Sequence, residues 1–94
     1  MTIGYCQIEL HIPNNHSLKG KRRVIRSIVA RVSQGFNVSI AELDHQDVWQ
    51  SAKLGVTCIS NDSARVHRQL ESVVHWLEQS RPDVQIISYH IEIF

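Results

Sequence analysis

Lys19, Arg22, Arg23 and Arg26 follow one another at i, i+3, i+4 and i+7. On an α-helix that spacing gathers four cationic side chains into one sector. No Asp or Glu stands four residues from any of them. Their mutual repulsion is therefore uncompensated within the segment, and either solvent screening or an anion from elsewhere must answer it. The chemistry such a stripe offers is phosphate binding, with Arg gripping bidentately and Lys acting as a point charge. Bases at a helix start oppose its dipole, whereas the free N–H groups there favour an anion. The plainer alternatives are a solvated helix face, or pairing with Asp44 and Asp47. Lys21 stands apart from the stripe: it points to the apolar side, where its ammonium is expected to snorkel to water.

A second group could hold a metal or move a proton. His16, Asp44, His45 and Asp47 carry nitrogen and oxygen donors, but no H-x-x-x-H or H-E-x-x-H spacing joins them. His67, His75 and His90 are scattered. Asp44 and Asp47 at an exposed turn would keep ordinary acidity. Ser17 suits a helix cap better than a nucleophile. There is no GxGxxG and no P-loop. Cys6 and Cys58 have no CxxC partner and read as small core residues. The expectation is a protein that is not an enzyme, with no catalytic residues, no metal, no cofactor and no small-molecule substrate. Trp49 is either a lid over the end of the core or an exposed anchor. With His16 and His45 it forms a candidate partner contact.

The elements that must position these groups follow from periodicity. Residues 3–12 alternate, with Cys6, Ile8, Leu10 and Ile12 facing one way and Tyr5, Gln7, Glu9 and His11 the other. Pro13 to His16 is turn chemistry, and Ser17 caps a helix over residues 18–34. Leu18, Ile25, Ile28, Val29 and Val32 form its apolar face, and the basic sector lies beside it. Gly35 stops the helix. A strand over 36–43 sets Phe36, Val38 and Ile40 on one face, and a further strand spans about 52–60. Asn61 or Asp62 caps a second helix whose stripe is Val66, Leu70, Val73, Val74 and Leu77. Pro82 lies just past its end near Ser80. The last strand, 84–94, places Ile87, Tyr89, Ile91 and Ile93 on one side.

The order βαββαβ predicts a ferredoxin-like α+β sandwich: a four-stranded antiparallel sheet with two helices on one face. The 94 residues make one domain, 1–94, since two cores would each be too small. A 43% hydrophobic content is too high for a disordered chain. No apolar run is long enough to span a bilayer. Met1 to Gln7 carries no basic lead and no long apolar run, so a cytoplasmic location without a membrane is expected. In this topology the first loop, the central hairpin and the last αβ loop share one end, which brings His16 near Asp44, His45, Asp47 and Trp49, with Arg81 close by. The open sheet face would show Tyr5, Gln7, Glu9, His11, Lys53, Thr57, Ile59, Ser88, His90 and Glu92. Only Tyr5 is aromatic on the central strands and Glu9 and Glu92 repel phosphate, so base stacking there is not expected. Cover by a second subunit, a homodimer, is the better reading of that face.

The net charge of +1 hides a segregation. Residues 10–41 hold six bases and no acid, whereas residues 42–94 hold eight acids and four bases. This points to a polyanion partner, an acidic protein surface or pairing between the halves.

Several segments carry a resemblance: Leu10-His11-Ile12-Pro13, Ser17-Leu18-Lys19-Gly20-Lys21-Arg22-Arg23-Val24, Phe36-Asn37-Val38-Ser39-Ile40-Ala41-Glu42, His45-Gln46-Asp47-Val48-Trp49-Gln50 and Ser60-Asn61-Asp62. Together they resemble the bacterial YlxP-like proteins, a largely uncharacterised family. The resemblance implies the same ferredoxin-like fold and brings no catalytic residues. Its members are often encoded beside transcription and translation factors, which implies a role at ribosomal RNA or its assembly. The expected function is thus a non-enzymatic accessory protein that binds RNA or a ribosomal component through Lys19, Arg22, Arg23 and Arg26. The alternative is a dimeric protein–protein interaction module with no nucleic-acid role.

Overall fold

The structure, a computed structural model, describes residues 1–44 and 48–94. Its elements are β1 (Thr2–His11), α1 (Leu18–Gly35), β2 (Ser39–Asp44), β3 (Ser51–Ser60), α2 (Ser63–Ser80) and β4 (Gln85–Ile93). The sheet order is β2-β3-β1-β4 with every neighbouring pair antiparallel. This is the ferredoxin-like α+β arrangement. No helix among the described residues is long and apolar enough to cross a membrane.

The core lies between sheet and helices. Cys6, Ile8 and Leu10 of β1 and Leu54 and Val56 of β3 meet Ile25, Ile28 and Val32 of α1 and the predicted stripe of α2. Ser17 accepts from the Gly20 N–H and Asp62 from the Ala64 N–H, so both helices start on the expected side-chain caps. A Cβ on Gly4 would lie 2.3 Å from Val66 Cγ1 and 2.8 Å from Leu70 Cδ1, so α2 rides on β1 where no side chain intervenes.

Three expectations are corrected. The second strand begins at Ser39, not Phe36. Phe36 instead caps α1, donating its N–H to the Val32 carbonyl, and its ring meets Trp76 edge-on at 6.5 Å. The aromatic partner on α2 takes the residue out of the sheet. On β4 the pairing shifts by one residue, Glu9 opposite Ser88 but Leu10 opposite Ile86. This bulge turns Ile86 onto the core and leaves Ile87 60% exposed, reversing the predicted face there. Finally, Lys21 does not snorkel. It is 1% exposed, with Nζ 3.0 Å from Glu42 Oε2 on β2.

Candidate nucleic-acid interface

The stripe that α1 buries runs Lys21, Ile25, Ile28 and Val32. Fixing that stripe against the sheet fixes the opposite side in solvent, and Lys19, Arg22, Arg23 and Arg26 are all exposed there. These four side chains line one open depression of about 460 Å³. Among the described residues none of the four stands in an ion pair or side-chain hydrogen bond. No acid occupies the first turn of α1 to offset the dipole. Among the described residues, internal pairing between the basic and acidic halves therefore claims Lys21 and not the outer stripe. Of the two turn acids considered as partners, Asp44 ends β2 opposite Lys53, and Asp47 lies outside the described residues.

The end of the sheet beside this stripe is held by Asn15, which the sequence reading passed over as a turn residue. Its amide nitrogen donates to the Ser17 carbonyl at 2.8 Å and to the Trp49 carbonyl, while Gln50 Nε2 donates to the Asn15 carbonyl at 3.2 Å. Ile12 N–H also donates to the Gln50 carbonyl at 2.9 Å. The first loop and the residues before β3 are thereby joined, as the topology required. A Cβ at position 20 would fall 2.3 Å from Asn15 Oδ1, so the glycine after Lys19 is what lets this amide in. The available signal was an Asn in the turn with a Gly one helical turn into α1.

Trp49 is 50% exposed and His16 is exposed. His45, the third expected partner contact, lies outside the described residues. Arg81, in the loop before β4, forks onto Asp83 at 3.0 and 2.7 Å and donates to Ser27 Oγ on α1 at 2.8 Å. That hydrogen-bonded guanidinium holds the Asp83 carboxyl below its ordinary range. Among the described residues no three His, Cys, Asp or Glu side chains gather as a metal site. Another depression, about 660 Å³, runs along the outside of α2 past His67, Glu71, His75 and Trp76. One helix supplies all of its lining, so no second wall encloses a ligand.

The open sheet face carries Glu9 with Lys53 at 3.6 Å and His90 with Glu92 at 2.9 Å. On this face Glu9 thus meets a cation and Glu92 a ring nitrogen, whereas the helix stripe meets no carboxylate among the described residues.

These features define a class: a ferredoxin-like α+β domain with four exposed cations, unpaired among the described residues, on the outside of its first helix. Compared with known proteins, residues 3–91 match the model of a family described as protein of unknown function (DUF503), and the chain belongs to that family. It is 35% identical over 83 residues to the "Uncharacterized protein YlxP" of Bacillus subtilis (strain 168), an alignment covering 88% of this chain and 89% of the relative.

Proposed function

We propose that this protein is a non-enzymatic accessory protein that binds RNA, with the outer face of α1 lying along a phosphate backbone. The observation that carries the reading is the depression lined by Lys19, Arg22, Arg23 and Arg26, whose charges find no carboxylate among the described residues. Four cations spaced along one helix suit a repeating line of phosphates, and no ion pair among the described residues takes up their charge. Ribosomal RNA, the polymer to which the family resemblance points, is the RNA to use first.

Binding to a ribosomal RNA fragment should weaken with salt along a log–log slope of about −3, as expected for four phosphate contacts. The combined variant Arg22→Glu, Arg23→Glu and Arg26→Glu should lose retention in a gel shift while keeping its circular dichroism. If that variant binds as well as the parent protein, the proposal fails. Weak, non-saturating RNA binding by the parent would instead favour the reading as a protein–protein module.

A further inference from the structure

The order β2-β3-β1-β4 leaves β4 at an edge of the sheet. Its nine residues, Gln85–Ile93, contain no Lys and no Pro, two of the residue types that protect such edges. Which backbone groups face outward follows from the pairing. Ile3 and Phe94 exchange both N–H···O bonds, at 3.3 and 2.7 Å. In an antiparallel ladder the direction then alternates, so Glu92 and His90 also turn their amides to β1, whereas Ile93, Ile91 and Tyr89 turn theirs to the free edge. Along this edge Tyr89 is 43% and Ile93 40% exposed.

We propose that β4 is a homodimer seam, in which two copies of this chain pair antiparallel about a two-fold axis through Ile91. The occupant is specified by the strand's own chemistry. Residues 89–93 read Tyr-His-Ile-Glu-Ile. A two-fold at Ile91 sets His90 opposite Glu92 of the second copy, twice, and Tyr89 opposite Ile93 of the second copy, twice. Unlike partners and aromatic–β-branched pairs thus meet across the strands. The three edge-facing residues of each copy also meet in hydrogen-bonded positions, which gives six new backbone hydrogen bonds. A two-fold at His90 would face His90 with itself and Glu92 with Ser88, and one at Glu92 would oppose two carboxylates. The bulge at Ile87 ends the seam on one side. The product is a continuous eight-stranded sheet with all four helices, and both basic stripes, on one face. The seam does not depend on the RNA reading, since no residue of the stripe takes part.

Light scattering on the eluting protein at about 50 µM should give twice the chain mass of 10.8 kDa. Glu92→Lys and His90→Glu should each weaken the dimer about tenfold, by replacing two favourable cross-strand pairs with unfavourable ones. The combined variant His90→Glu with Glu92→Lys should restore it to within about threefold, because opposite charges then face each other across the seam. Both side chains are exposed, 66% and 48%, so the fold should tolerate all three variants, and circular dichroism checks this. A monomer at this concentration, a dimer indifferent to the single changes, or a double variant as weak as the singles would each overturn the seam.

Discussion

Lys21 and Arg22 are neighbours in sequence with opposite fates. One helical step of about 100° separates them. It carries Lys21 into the buried stripe and Arg22 out to water. A buried ammonium survives only with a partner, and Glu42 supplies one. The contact is an ion pair more than an aligned hydrogen bond, since Glu42 Oε2, itself buried, has no hydrogen-bond donor among the described residues. Removing one member of such a pair costs more than the pair contributes, because a charge remains in the interior. Glu42→Ala should therefore lower stability by roughly 3 kcal/mol. Lys21→Met combined with Glu42→Leu should recover most of the loss, read as midpoints in urea. Additive losses in the double variant would show that the ion pair does not account for the cost.

At the scale of elements, contacts between them are set by small residues and by one amide. Gly4 lets α2 approach β1, and Gly20 admits the Asn15 amide that ties the first loop to Trp49. Gly4→Ala should cost about 1–3 kcal/mol through overpacking, since its Cβ would collide with Val66. Combining it with Val66→Ala, which removes the nearest clashing atom, should cost less than the sum of the two single changes in thermal unfolding. Full additivity would place the strain elsewhere. The helix ends also meet: Phe36, which caps α1, packs on Trp76 of α2, and Arg81, which caps α2, reaches Ser27 of α1. Both act over long stretches of chain, so neither is visible in the local period of either helix. The same holds for the β4 bulge. Ile86 and Ile87 are equivalent by composition, and only the ladder with β1 decides which faces the core.

Across the whole molecule, one core and one charge asymmetry coexist. The core excludes water well enough that burial, with a smaller push from Glu71, raises the Cys6 thiol to about 11. Cys58 is half-buried, also raised by burial, with Sγ 3.7 Å from the Val66 carbonyl. Thiolate is the species that reacts, so native Cys6 should resist alkylation at pH 8 and react only when the whole domain opens. Its rate in rising urea should track global unfolding, with Cys58 labelled first by mass spectrometry. Rapid native labelling of Cys6 would contradict a closed core. Outside that core the positive charge gathers on α1, where a long-range attraction would steer a polyanion before any contact forms.

By itself the sequence determined what depends on near neighbours: the order of six elements, the Ser17 cap, the apolar stripe of α2, the Ile25, Ile28 and Val32 part of the α1 stripe, and the basic sector of α1. Those follow from the 3.6- and 2-residue periods and from side chains that reach their own backbone. Only the tertiary structure decided that Lys21 meets Glu42, that Asn15 holds Trp49, that Phe36 leaves the strand for Trp76 and that Ile86 displaces Ile87. Each of these rests on a partner many residues away, and such a partner is chosen by how layers stack and how strands register. The outer stripe of α1 needed both: its spacing is local, but its lack of a carboxylate partner among the described residues is a fact about the folded surface.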